Sequence, residues 1–278
     1  MKSAFWKLIE FYSLRTPYHT GKWRIVEAAV KGLGIESLHR GKIMQVQRRG
    51  LRWNLGIECT LQRKLFYHGL FDRNESRELL AVARPGTVFF DIGSYFGYYA
   101  LQAARFGAKV FAFEPVGRNF EQLQANIALN RSTAEAFRLA LSDSKGEVSF
   151  EIPDASNGGR GHIATADTGA LTETVSMTTL SEFAETHGVR GIDAVKLDVE
   201  GAEVRVLRGG ADILRRSRPT MLVELNPPCL ARFGTSEAEL LDTLRSIGFK
   251  IHRANRRGLV PYTGLLPGEG YTNIICTG

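Results

Sequence analysis

Val88-Phe89-Phe90-Asp91-Ile92-Gly93-Ser94-Tyr95-Phe96-Gly97 is an apolar strand running directly into the pattern D-x-G-x-x-x-G. The next apolar strand, Val110-Phe111-Ala112-Phe113, ends on a second acid, Glu114. Two such strands describe an open α/β sheet that holds an adenosine-containing ligand in the crevice at its carboxyl ends. Gly93 and Gly97 lack a Cβ, so the backbone there is expected to approach the ligand closely. A carboxylate roughly 20 residues further on can accept hydrogen bonds from both hydroxyls of a ribose, which assigns Glu114 to that task. Asp91 stands where the diphosphate-binding G-x-G-x-x-G turn has its first glycine. An acid there disfavours a diphosphate and suits a cationic, phosphate-free ligand such as S-adenosylmethionine, whose amino group Asp91 would receive.

Outward from this stretch, strands and helices alternate, which predicts a mostly parallel sheet covered on both faces. A helix is expected from Tyr98 to Phe106, and another after Pro115 with Phe120, Leu123, Ile127 and Leu129 on its apolar side. Ala136 to Leu141 is expected to be the third strand, ending at Ser142-Asp143, where an adenine amino group would be read. Gly146 to Ile152 alternates like an edge hairpin, Asn157 to Gly161 is a loop, and a short strand is expected around Thr174 to Met177. Ile192 to Leu197 is the fourth core strand, ending at Asp198, and Thr220 to Val223 is the fifth, ending at Glu224. A helix over Glu237–Ile247 and strands at Lys250–His252 and Thr272–Cys276 complete a seven-stranded sheet.

The first third differs in character. Residues 1–86 hold 16 Lys/Arg against 7 Asp/Glu, a balance of +9, whereas the remainder holds 20 against 22, a balance of −2. The expected division is therefore a basic helical and hairpin extension over 1–86 and a cofactor-binding domain over 87–278. Ser3 to Leu14 is helix-compatible and rich in aromatics, so it must dock on its own domain, a second subunit or a membrane interface. A second helix is expected at Trp23–Leu33, and Ile43–Gln47 with Leu51–Leu55 forms a hairpin about Arg48-Arg49-Gly50. Two further helices follow near Cys59–Tyr67 and Asn74–Ala83. No apolar run approaches the ~20 residues of a membrane span. Lys7 and Glu10 break any leader-like apolar core. Cys59, Cys229 and Cys276 lack metal-like spacing and are expected to be reduced thiols of a cytoplasmic protein.

A second constellation, Lys196-Leu197-Asp198-Val199-Glu200-Gly201-Ala202-Glu203, places carboxylates at the mouth of a central strand. Asp198 or Glu200 could there orient or deprotonate an acceptor hydroxyl, with Glu224 also facing the crevice. Lys196 could equally pair with an acid, and Glu203 could serve the first turn of its helix. His162, in the loop, is a weaker candidate.

Asp91-Ile-Gly-Ser-Tyr-Phe-Gly97, Phe113-Glu114-Pro115, Ala140-Leu141-Ser142-Asp143, Lys196-Leu-Asp-Val-Glu-Gly-Ala-Glu203 and Val223-Glu224 stand in the order and spacing of the FkbM-type methyltransferases. The resemblance runs from about Trp53 to Cys276 and includes Gln62-Arg63 and Tyr67-His68-Gly69. It departs at Ser94-Tyr95, where many members carry Ala-Asn. The resemblance implies a class I, Rossmann-like, S-adenosylmethionine-dependent fold and O-methylation of a sugar, glycolipid, polysaccharide or other natural-product hydroxyl. The site it implies comprises Asp91, Gly93, Ser94, Gly97, Glu114, Ser142 and Asp143 for the cofactor, and Asp198, Glu200 and Glu224 for catalysis.

Some class I O-methyltransferases hold Mg²⁺ where Asp198, Glu224 and Asn226 stand here. Three oxygen ligands suit that ion, but no metal is assigned. Asn226-Pro227-Pro228-Cys229 is similar to a motif of methyltransferases that act on bases in nucleic acid. It follows the wrong strand and lacks the stacking aromatic, so it is expected to be a Pro-rich turn and no nucleic-acid partner is favoured. Methylation of RNA or an amine, and a non-catalytic cofactor-fold subunit, stand as alternatives. Peripheral membrane contact and a homo-oligomer are left open.

Overall fold

The computed structural model describes residues 2–16, 21–34, 41–57, 59–69, 72–151 and 172–278. The expected loop at 157–161 and His162 lie outside the described residues. The chain divides into two compact units at Arg73/Asn74, ahead of the Pro85-Gly86 turn.

In the first unit, α1 (Lys2–Arg15) and α2 (Lys22–Gly32) precede a hairpin of β1 (Ile43–Arg48) and β2 (Leu51–Gly56), then α3 (Thr60–His68). Arg48 pairs with Leu51, leaving Arg49 (φ 52°) and Gly50 (φ 74°) as a two-residue turn. Two positive φ values match the twist of the flanking strands. Trp53 is fully buried, and its indole N–H donates to the Arg48 carbonyl at 3.0 Å.

The second unit carries the sheet. Its elements are α4 (Arg73–Leu80), β3 (Val88–Ile92), α5 (Tyr98–Arg105), β4 (Lys109–Phe113), α6 (Gly117–Asn130), β5 (Glu135–Phe137), β6 (Ala140–Ser142), β7 (Gly146–Glu151), β8 (Thr172–Thr179) and α7 (Leu180–Thr186). There follow β9 (Ala194–Leu197), α8 (Glu203–Gly209), α9 (Ala211–Ser217), β10 (Thr220–Leu225), α10 (Pro227–Arg232), α11 (Glu237–Ile247), β11 (Lys250–Asn255), β12 (Gly258–Pro261) and β13 (Thr272–Thr277). Among the described residues the main sheet has the order β12-β11-β13-β10-β9-β3-β4-β5. The five strands from β5 to β10 are parallel, and β13 enters antiparallel between β10 and β11. The expected seven strands are thus eight, because the chain after β11 folds back as β12 on the edge.

The third strand is also corrected. It breaks after Phe137, where Arg138 turns to pair with Glu173, and Ala140–Ser142 joins a separate sheet of order β6-β8-β7. Asn226-Pro227-Pro228 is not a bare turn either: both prolines stand in the first turn of α10, where the missing N–H costs nothing.

Alternation along the strands sorts the two faces. Phe90, Ile92, Phe111, Phe113, Val195, Leu197, Met221 and Val223 form the core beneath α7, α8 and α11. Phe113 and Phe183 meet edge-on at 4.6 Å. Capping residues start the helices on that side: Thr179 accepts from Glu182 N–H and Ser236 from Glu239 N–H. The opposite face carries Asp91 and Lys196.

Candidate active site

Parallel register brings the polar residues together. Ala112, Asp91, Lys196 and Leu222 are cross-strand neighbours in one row over β4, β3, β9 and β10. Neighbours in register project to the same face, and the face repeats every second residue. The next row toward the carboxyl ends is therefore Glu114, Gly93, Asp198 and Glu224, extended by Asn273 of β13, the partner of Glu224. The strand ladders continue to this level through Glu114 N–H to the Phe137 carbonyl at 3.1 Å, Gly93 N–H to Phe113 at 3.0 Å and Asp198 N–H to Ile92 at 3.1 Å.

Asp91 is buried. Its Oδ2 accepts from the Ala100 N–H of α5 at 2.9 Å, and its Oδ1 has no hydrogen-bond partner among the described residues. Burial pushes its pKa up to about 6, against the pull of Lys196. Glu114 is also buried. It accepts from Tyr95 N–H at 2.8 Å, Val116 N–H at 3.0 Å and Asn119 Nδ2 at 3.3 Å. Burial raises it to about 7 despite those bonds. Glu114 therefore fastens the turn after β3 to the turn after β4.

Both glycines of the opening motif adopt left-handed backbone, with φ of 80° at Gly93 and 91° at Gly97. A Cβ on Gly93 would lie 1.8 Å from the Asp198 carbonyl oxygen. A Cβ on Gly97 would lie 2.6 Å from Leu123 and 2.8 Å from Leu101. The chain's own packing thus requires both glycines, a different reason from the ligand approach expected of them. Ser94 is buried and its hydroxyl donates to the Asp91 carbonyl at 2.6 Å, closing the same turn.

Lys196 is the buried cation of the cluster. Its ammonium donates to Asp198 Oδ2 at 2.7 Å and lies 3.4 Å from the Gly93 carbonyl. Burial works against its charge, but Asp198, Asp91 and Glu224 together hold its pKa above the usual lysine value. Glu203 accepts from Val199 N–H at 3.0 Å and Gly201 N–H at 3.2 Å, so it shapes the Asp198–Gly201 turn. Burial raises Glu203 to about 7. Glu200, half-buried, holds a φ of 54°, unusual for a residue with a side chain, and accepts from Cys229 Sγ at 3.4 Å.

Glu224 Oε2 is buried without a hydrogen-bond partner. Burial, with Asp198, Glu200 and Glu203 nearby, drives its pKa far above the ordinary carboxylate range. Its ionised form is therefore disfavoured in the ligand-free protein.

Ser142 ends β6 and Asp143 follows it, and Ala140 of the same strand packs with Val116 and Ala202, beside the turns that carry Glu114 and Glu203. A Cβ on Gly209, the last residue of α8, would fall 2.0 Å from the Ser142 carbonyl oxygen. Asp143 is solvent-exposed. The residues that sequence reasoning missed are Asn119, Tyr95 and Asn273. Asn119 had a local signal, an amide in the first turn of the helix after Glu114. Asn273 had none, because only the β10–β13 register places it beside Glu224.

Among the described residues no three of His, Cys, Asp and Glu gather closely enough to hold a metal ion. Cys59, Cys229 and Cys276 are buried and form no disulfide among the described residues. S-adenosylmethionine fits the residues present on two observations. Asp91 Oδ1 is a buried acceptor lacking a donor, and six acids (Asp91, Glu114, Asp198, Glu200, Glu203, Glu224) cluster around one lysine. A bound cation would favour the ionised forms of acids whose pKa values burial raises.

The family model for the methyltransferase FkbM domain matches residues 91–251. The chain is 36% identical over 140 residues to the hexuronic acid methyltransferase AglP of Haloferax volcanii, covering 50% of this chain and 56% of that protein. It is 32% identical over 160 residues to the 31-O-demethyl-FK506 methyltransferase FkbM of Streptomyces tacrolimicus, covering 46% and 61%. It is 27% identical over 188 residues to the 2-O-methyltransferase NoeI of Sinorhizobium fredii, covering 59% and 76%. The chain thus spans little more than half the length of the first two relatives it matches. With the strand order and the acid-lined row at the strand ends, the match over 91–251 shows that this chain belongs to the FkbM-type methyltransferase family.

Proposed function

We propose that the protein is an S-adenosylmethionine-dependent O-methyltransferase acting on a hydroxyl of a sugar-containing or other natural-product acceptor. The observation that carries this reading is the cluster of acids at the strand ends, which outnumber the single lysine among them and whose ionised forms a bound cation would favour. A nicotinamide dinucleotide would bring further negative charge, whereas a sulfonium relieves the excess. The names of the three relatives support an oxygen acceptor: one is called a hexuronic acid methyltransferase, and two carry an O-methyl designation.

In this reading Asp91 and Glu114 hold the amino group and the ribose of the cofactor, respectively. Bound S-adenosylmethionine supplies the electrophilic methyl group. The chain's residues align the acceptor oxygen and exclude water, which is where most of the rate is gained when the electrophile is already strong. Glu200 or Asp198 takes the acceptor proton. Glu200 is favoured, because its strained backbone is held in place by its neighbours and such positions cluster at functional sites, whereas Asp198 already receives the Lys196 ammonium.

Calorimetric titration with S-adenosylmethionine tests the cofactor site. Asp91→Asn and Glu114→Gln should each weaken binding roughly 10- to 100-fold, the worth of a hydrogen bond to a charged group. Unchanged affinity in both would remove the assignment. Glu200→Gln should leave that affinity intact while lowering methyl transfer to a hexuronic acid glycoside by about 10²-fold or more. Full turnover in that variant would exclude Glu200 as the base.

A further inference from the structure

Helix α1 is apolar on two sides. Its inner side is covered within its own unit: Trp6 stacks on Phe66 at 5.4 Å and meets Tyr67 edge-on at 5.2 Å, and the Ser13 hydroxyl donates to the Tyr67 carbonyl. Its outer side carries Phe5, Leu8 and Phe11 at successive i, i+3 positions, 48%, 66% and 64% exposed. Three large apolar side chains left in water on one helical stripe call for something to cover them.

The surroundings say what. Lys7, Phe11, Arg15 and Arg49 line one cavity of about 590 Å³. The acid in that cavity, Glu10, is paired with Arg48 at 2.8 Å, so the lining presents net positive charge. The same basic excess marks the whole of residues 1–86. Aromatic and leucine side chains flanked by Lys and Arg match the boundary between headgroups and acyl chains, where the rings sink and the cations meet phosphate.

A span across the bilayer is excluded for α1. Its 14 residues rise about 21 Å, short of the roughly 30 Å hydrocarbon core. No described helix is long and apolar enough to cross a membrane. A second copy is a poor cover, because a two-fold interface sets the same patch against itself and would bring Lys7, Arg15 and Arg49 against their own counterparts.

We propose that the outer side of α1, through Phe5, Leu8 and Phe11 with Lys7, Arg15 and Arg49, docks the protein on an anionic phospholipid surface. This does not depend on the methyl-transfer reading, and its failure would leave that reading untouched.

Flotation of the full chain with vesicles tests it, using equal parts phosphatidylglycerol and phosphatidylcholine against phosphatidylcholine alone. The protein should float with the anionic vesicles, remain behind with the neutral ones, and be released by added salt as the charges are screened. Replacing Phe5, Leu8 and Phe11 together by Ser should weaken binding at least about tenfold. Lys7→Glu and Arg49→Glu should each weaken it about fivefold or more. These side chains are exposed, so the thermal midpoint and S-adenosylmethionine affinity should be unchanged and report that the variants are folded. No flotation with anionic vesicles, or equal flotation with neutral ones, would overturn the proposal. So would sedimentation showing a dimer of the unaltered chain that the triple replacement dissociates, since the stripe would then be covered by a second copy.

Discussion

Single residues in this protein are fixed by the packing of the chain against itself, and Gly93 is the clearest case. Its left-handed backbone and the Asp198 carbonyl, 1.8 Å from where a Cβ would stand, exclude any side chain. Gly93→Ala must therefore push the β9 turn away or distort the β3 turn. A loss of about 2–4 kcal/mol is expected from overpacking plus the backbone penalty, read as a lowered unfolding midpoint. A variant as stable as the parent would show that the two turns are not in contact. The buried acids make the second residue-scale prediction. Asp91, Glu114 and Glu203 bind protons more tightly folded than unfolded, with values raised to about 6, 7 and 7. The ligand-free protein should lose stability as pH rises from about 4 to about 7, and Glu224, raised further still, should extend the loss above that range. Binding of S-adenosylmethionine runs the other way. It needs the ionised acids, so affinity should rise with pH through 6 to 7. Calorimetry showing affinity that falls over that interval would contradict the charge argument.

At the scale of elements, the turn between β9 and α8 is built around Glu203. Its carboxylate gathers Val199 and Gly201 N–H groups that α8, starting only at Glu203, cannot satisfy. Glu203→Ala leaves both donors without that acceptor and should cost about 2–4 kcal/mol. Turnover should fall more than cofactor affinity, because the turn carries Asp198 and Glu200 while Asp91 and Glu114 sit on other elements. Glu203→Gln keeps an acceptor oxygen and should recover part of both losses, which urea denaturation and initial-rate assays would register. Neighbouring elements account for the displaced third strand. Arg138 ends β5 early to reach Glu173, and β6 then runs beside α8 toward Gly209. That route takes Ser142 and Asp143 out of the main sheet.

For the molecule as a whole, the charge division matters most. The basic excess belongs to the first third, and the acid row belongs to the sheet-bearing unit. One surface is suited to anionic lipid and the other to a cationic cofactor. A lipid-borne glycan acceptor would give both surfaces a use, and vesicle-bound protein should then methylate an acceptor embedded in the same vesicles faster than a water-soluble analogue. Equal rates for the two acceptors would separate docking from catalysis.

Local pattern was enough to place β3, β4, β9 and β10 and the acids at their carboxyl ends. Apolar runs of four or five residues that alternate with helices and close on Asp or Glu put those acids at the ligand-binding edge of a parallel sheet. Asp91 with Glu114 carry that information within 24 residues. What only tertiary structure decided is which residues meet. The alignment of Asp91 with Lys196, of Glu224 with Asn273, and of the Asp198 carbonyl with Gly93 depends on strand register, and register is a long-range property that composition and spacing do not encode. The raised pKa of Glu224 is of the same kind. Its charge is suppressed by burial and by acids from β9 and α8, and neither exists until the sheet has closed around it.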